Sequence, residues 1–212
     1  MKKKSMSFLV GLSLLLMSAS AEAESNLMDE MQPVENASAH SHHAHRKRPF
    51  VIDQMQPVVD TTVGGMAIGG GSAQQLAQTV TAGRDGKLVG LFLPIGCDSG
   101  RLVIEIRDVD GDSPGTVLLY RRRIDAAQLS PIGPVFRLFR IDPGLPLAAG
   151  DRLAVVLRNP TGSCGMFQGP VGDAYAGGEG FFQALPNPPG WVPFSDTETR
   201  LDLPFMTLMR LP

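Results

Sequence analysis

The chain has 212 residues, of which 19 are Lys or Arg and 21 are Asp or Glu, giving a formal net charge of −2 at pH 7. A chain this close to neutrality lacks the basic excess of a general nucleic-acid binder, so we expect no nucleic-acid partner. Its 4 histidines all lie at or before His45, which leaves the rest of the chain without a histidine for a Ser-His-Asp or Cys-His catalytic arrangement.

The N-terminal segment has the features of a secretory signal peptide. Lys2, Lys3 and Lys4 precede the apolar run Phe8 to Met17, and Ala21-Glu-Ala23 is a small-x-small cleavage pattern. The apolar run, about ten residues long, is shorter than the roughly 20 that a membrane-spanning helix needs. We therefore predict a signal peptide over residues 1–23, a secreted or periplasmic bacterial protein, and no membrane span after cleavage. Cleavage would remove three lysines and one glutamate and leave 16 basic and 20 acidic residues, a charge of −4.

Residues 24–58 show no sustained hydrophobic period, and we predict a disordered linker there. The linker contains His40, His42, His43 and His45, followed by Arg46-Lys-Arg48. Neutral imidazoles are good ligands for divalent copper, nickel or zinc, so one hypothesis is a tail that binds a transition metal. The alternative is a solvated tail, because the basic triplet would repel a cation.

Residues 59–212 are predicted to form an antiparallel β-sandwich domain, and the stretch from Arg101 to Arg123 shows the pattern best. Apolar and polar residues alternate over its first half, its second half is again apolar and β-branched, and a turn-forming Asp/Gly/Pro cluster separates the two halves. This predicts a β-hairpin with a long polar tip, whose apolar face must be covered by a second sheet.

Similar short runs lie on both sides of the hairpin. Strands are predicted over residues 75–81, 88–95, 135–141, 153–157 and 203–209, with a turn at Asp142-Pro-Gly144. The glycine-rich segments Gly64 to Gly71 and Gly162 to Gly180 are predicted to be loops, and the first lacks the lysine and Ser/Thr pair of a P-loop.

Cys97 and Cys164 are the 2 cysteines of the chain. An exported protein with two cysteines usually joins them, so we predict one disulfide. A nucleophilic or metal-binding thiol is the alternative, and it would need a nearby histidine or further ligands.

Several segments, in their order along the chain, also resemble those of a known family. The segments are Gln78-Thr-Val-Thr-Ala82, Leu102 to Gly115, Leu147 to Leu157, Gly172 to Gly178, Trp191, and Leu203-Pro-Phe205, within residues 72–210. In these features the chain resembles the choice-of-anchor jelly rolls, bacterial secreted β-sandwich modules found beside cell-surface anchors and carbohydrate-active domains. The resemblance implies a jelly-roll-like fold and a non-catalytic adhesive or sugar-binding role.

Asp108, Asp110 and Asp112 are spaced at i, i+2 and i+4 in the hairpin tip. Three carboxylates at this spacing could face one hard cation, so a calcium site is one interpretation. Aspartates also favour tight turns because they accept hydrogen bonds from their own backbone, and this is the interpretation that we favour. We expect no other cofactor.

A possible sugar-binding surface lies between Gly162 and Trp191. Tyr175 and Trp191 could pack against the apolar face of a sugar ring, while Asp173 and Gln183 hydrogen-bond its hydroxyl groups. Packing of the two aromatic rings beneath a long loop is the alternative. A second possible surface is an arginine stripe for anionic polysaccharide or phosphate, formed by Arg121, Arg123, Arg137 and Arg140, although a solvated outer face is a more common place for such residues.

The functional hypothesis that follows is a non-catalytic exported binding or adhesion module whose partner is a carbohydrate or another cell-envelope polymer. A hydrolase that uses a pair of carboxylates is a minority alternative, because no two acids stand out at a suitable spacing. The alternative outside this class is a secreted metal-binding protein that uses the segment from His40 to His45.

Overall fold

β-Strands account for most of the chain that the structure describes. The computed structural model describes residues 49–129, 133–186 and 189–212. Within these ranges no helix is long and apolar enough to cross a membrane. The strands are β1 (Phe50–Gln56), β2 (Met66–Gly69), β3 (Gln75–Thr81), β4 (Gly86–Leu93), β5 (Ile95–Cys97), β6 (Arg101–Asp110), β7 (Ser113–Asp125), β8 (Arg137–Leu147), β9 (Arg152–Arg158), β10 (Ser163–Met166), β11 (Gly180–Gln183), β12 (Val192–Pro193) and β13 (Phe205–Arg210).

These strands form three sheets in which neighbouring strands are antiparallel. A four-stranded sheet has the order β1-β13-β4-β8, a six-stranded sheet has the order β12-β11-β3-β9-β6-β7, and a small sheet has the order β2-β10-β5. Apolar side chains of the four- and six-stranded sheets meet in one buried cluster. The prediction of an all-β antiparallel sandwich is therefore confirmed.

Alternation along β6 shows how the sequence builds this core. Leu102, Ile104 and Ile106 are at most 2% exposed and belong to the buried cluster. They pack with residues of the facing sheet such as Leu91 and Phe139. Because successive strand residues point to opposite sides, Val103, Glu105 and Arg107 are placed on the other face of the six-stranded sheet.

The predicted linker extends too far toward the C-terminus. β1 lies within residues 24–58 and pairs with β13, with Phe50 opposite Arg210 and Ile52 opposite Leu208. Its sequence FVIDQMQ is too polar to indicate a strand by itself. The strand forms because a partner about 150 residues away in sequence supplies its hydrogen bonds and because Val51 packs against the core.

Both glycine-rich segments predicted to be loops contain a strand of the small sheet. β2 lies in the first segment and β10 in the second, and β10 pairs with β2 on one side and with β5 on the other. Cys164 lies opposite Cys97 in the second pairing, and the two form the predicted disulfide, so no cysteine is free. The bond joins two strands that meet directly in the sheet.

Two predicted turns also differ in the structure. The hairpin tip is short, since Asp110 already pairs with Ser113. β8 continues through residues 142–144, where a turn was predicted. The extra residues there produce a shift of register between β8 and β4. The signal peptide and the cluster from His40 to His45 lie outside the described residues.

Candidate ligand-binding site

The outer face of the six-stranded sheet, which points away from the core, carries the densest group of functional side chains. One row across it contains Gln183, Gln75, Arg158, Val103 and Arg123, contributed by β11, β3, β9, β6 and β7. Strands lie about 4.8 Å apart, so the row is roughly 19 Å long. The next row contains Phe181, Ala77, Val156, Glu105 and Arg121.

Glu105 lies at the centre of an arginine cluster on this face. Its side chain is 0% exposed although it does not point into the core. Arg107 Nε donates to Oε2 at 2.9 Å, Arg121 Nε donates to Oε1 at 2.9 Å, and Arg158 Nη2 donates to Oε1 at 2.6 Å. The carboxylate is thus covered by one guanidinium group of its own strand and one from each neighbouring strand, β7 and β9.

The environment keeps Glu105 ionised. Burial by itself raises the pKa of this carboxyl, but the hydrogen bond from Arg107 and the positive charges of Arg107 and Arg158 outweigh burial and hold the pKa below its ordinary value of 4.5. A carboxylate that accepts these bonds is a poor proton donor. Glu105 therefore fixes arginine side chains and is unsuited to general acid catalysis.

An apolar group adjoins the arginine cluster. Phe181, Ala77, Ala154 and Val156 form a small buried cluster on the outer face, and the partly buried Trp191 packs against it. Trp191 immediately precedes β12, which pairs with β11 beside Gln183. An aromatic ring next to amide and guanidinium groups is a combination suited to sugar rings and their hydroxyl groups.

Two clefts that share Pro160 and Thr161 in their lining adjoin the row. One, of about 510 Å³, is lined by Gln75 and Arg158 among others. The other, of about 340 Å³, is lined by Arg101, Val103 and Arg123 among others. Residues of the row therefore line both clefts, and the clefts give the face room for an extended ligand.

The four residues predicted to bind sugar do not form one site. Gln183 and Trp191 lie on or beside the outer face, whereas Asp173 is exposed in the loop before Tyr175. The prediction is wrong for Tyr175, which is only 7% exposed. Its ring packs edge-on against Phe205 with centroids 5.0 Å apart, and its hydroxyl group donates to the carbonyl oxygen of Thr81 at 3.3 Å.

A buried acid holds the Tyr175 loop in place. Asp202 is 1% exposed and accepts hydrogen bonds from the backbone N–H groups of Ala174 and Tyr175 and from the side chain of Gln78. Burial raises the pKa of its carboxyl despite these bonds. These hydrogen bonds join Asp202 to the loop of Tyr175 and to β3, so Asp202 acts as a structural anchor.

The structure contradicts a calcium site at Asp108, Asp110 and Asp112. No group of three or more potential metal-ligating side chains occurs in the described parts of the chain. Asp108 accepts a hydrogen bond from the backbone N–H of Val117 at 2.8 Å, and Asp112 pairs with Arg152 at 3.0 Å. Asp108 therefore holds the hairpin backbone, and Asp112 pairs with a residue of β9.

The predicted arginine stripe is divided between two sheets. Arg121 and Arg123 are on β7, whereas Arg137 and Arg140 are on β8 in the four-stranded sheet. Sequence reasoning missed Arg107, Arg158, Gln75 and the partner role of Glu105. The alternation along β6 places Glu105 and Arg107 on the same face, so the sequence could have indicated their contact. The contact with Arg158 could not be predicted in this way, because it depends on the register between β6 and β9.

Comparisons of the chain with protein-family models, with curated proteins and with solved structures find no match. The resemblance to choice-of-anchor jelly rolls therefore stays a prediction.

Proposed function

We propose that this chain is a non-catalytic exported module that binds a carbohydrate or another cell-envelope polymer along the outer face of the six-stranded sheet. The observation that carries the proposal is the row of Gln183, Gln75, Arg158, Val103 and Arg123 beside Trp191. This row is roughly 19 Å long, is built on five strands and ends at the exposed Arg123, so it suits an extended ligand better than an enclosed small molecule.

Export is supported by two features. The signal-like N-terminal sequence is of the kind removed on secretion, and a disulfide such as that between Cys97 and Cys164 persists in oxidising compartments. A binding role without catalysis is supported by the state of the acids near the face. Glu105 is committed to three arginines, and Asp125 is paired with Arg101.

A glycan array probed with residues 24–212, followed by calorimetry on the glycans that bind, tests the proposal. We expect Trp191→Ala and Gln75→Ala each to weaken binding. Leu138→Ala, on the exposed outer side of β8, is the matched control and should leave binding unchanged. An array without any bound glycan, binding that survives both substitutions, or hydrolysis of a bound glycan would overturn the proposal.

A further inference from the structure

The charge of the outer face defines the ligand further, on the assumption that the proposed function holds. We infer that the polymer is an acidic polysaccharide, and that Arg123 and Arg158 bind its carboxylate or phosphate groups. Arg107, Arg121, Arg123 and Arg158 face one side with Glu105 as their central acid, which leaves an excess of three positive charges. The mature chain as a whole is acidic, so this concentration of positive charge is local.

Arg123 is an exposed cation that, unlike Arg107, Arg121 and Arg158, is not bonded to Glu105. No hydrogen bond or ion pair holds its guanidinium in the described residues, whereas Arg101 on the same side is paired with Asp125 at 2.8 Å. Five N–H donors in a planar fork suit bidentate binding of a carboxylate or phosphate. Arg123 is therefore placed to bind a ligand without first breaking an internal pair.

Glu105 binds the guanidinium group of Arg158 but does not occupy all of its hydrogen-bond donors. Its Nη2 donates to Glu105, while its Nε is buried and has no acceptor in the described parts of the chain. The contact with Glu105 fixes the guanidinium over the outer face, and donors of the group remain for an anion. Glu105 thus acts as a positioning residue, because it orients Arg158 without contacting the ligand.

The register sets the distance between the two sites. Arg158 and Arg123 both lie opposite Val103, one on each neighbouring strand. Adjacent strands are about 4.8 Å apart, so the two Cα atoms are separated by roughly 10 Å. Each arginine lines one of the two clefts beside Pro160 and Thr161. Two acidic groups of one polymer can therefore be bound at once, one in each cleft.

Polygalacturonate oligomers and their methyl esters are the test pair, because esterification removes the charge and keeps the sugar backbone. We expect the mature protein to bind the acid form about tenfold or more tightly than the ester, and rising salt to weaken that binding. Arg123→Gln and Arg158→Gln should each weaken binding of the acid form by about tenfold. Arg140→Gln, an exposed arginine on the other sheet, should have no effect.

The outcomes separate the inference from the proposed function. Equal binding of acid and ester, or binding confined to neutral glycans, would overturn the inference and leave a glycan-binding module. Polyphosphate that binds as tightly as the acid oligomer and is insensitive to Trp191→Ala would overturn the inference in favour of unselective anion binding. Absence of any glycan binding would overturn both. Arg123→Gln limits the effect on folding, since in the described residues the substitution removes no side-chain hydrogen bond or ion pair.

Discussion

Replacing Glu105 by Gln tests whether the arginine cluster depends on a buried charge. Removing one partner of a fully buried ion pair costs about 3 to 5 kcal/mol. The arginine side chains here are 21%, 37% and 32% exposed, so water partly screens the charges left behind. We therefore expect a loss of about 2 to 3 kcal/mol in the free energy of unfolding. For a domain of this size, that corresponds to a fall in Tm of roughly 4 to 12 °C.

The stability loss caused by Glu105→Gln should also depend on pH, which gives a second test of the prediction. Because the pKa of Glu105 is lowered in the folded protein, its contribution is present above the ordinary value of 4.5 and is lost as the pH falls below it. Chemical unfolding of both proteins at pH 7 and at about pH 3.5 should show the difference shrinking at the lower pH. Asp125→Asn is the control, because that carboxylate and Arg101 are 60% and 55% exposed, and it should cost less than about 0.5 kcal/mol.

A difference that is equal at the two pH values, or no larger than that of Asp125→Asn, would refute the reasoning. It would mean that the charge of Glu105 adds no net stability to the arginine cluster in water.

Three further predictions concern other parts of the fold. Reducing the bond between Cys97 and Cys164, which are 67 residues apart, should lower stability by about 4 kcal/mol in the chain-entropy model; two titratable thiols in the folded, unreduced protein would contradict it. Tyr175→Ala should cost about 3 to 5 kcal/mol in urea unfolding because its ring is in the core, with Trp191→Ala costing less, and the opposite order would contradict these placements. The Asp60 pKa is lowered to about 2 by hydrogen bonds from Thr62 and Arg200, so Asp60→Asn should lower Tm above pH 3.8 and progressively less toward pH 2, and a pH-independent effect would contradict this.

The parts of the fold that follow from local pattern were predictable from the sequence. β3 was predicted with its observed ends, and the apolar side of β6 was assigned correctly, because a period of two is written in adjacent residues. The disulfide followed from the presence of only two cysteines. Each of these predictions needs no knowledge of which strands become neighbours.

The candidate site required that knowledge. On an isolated hairpin Glu105 could contact only Arg107 and Arg121, because Arg158, 53 residues later, approaches from β9. The sequence left the choice between sugar binding and packing open for Tyr175, because its cover includes Phe205, 30 residues away in sequence. In both cases side-chain burial is decided by strand register and loop docking, which single-sequence patterns do not encode.

The pairing of β1 with β13 determines how the domain responds to tension. Phe50 lies opposite Arg210, and the backbone N–H of Leu211 donates to the carbonyl oxygen of Pro49 at 3.1 Å. A pulling force applied between residues 49 and 211 would open this ladder one hydrogen-bonded pair at a time, like a zipper. A force applied between residue 49 and the six-stranded sheet would pass through the same ladder and then through the core that the two sheets share. The β1–β13 ladder therefore bears load in both cases, and the core bears load only in the second.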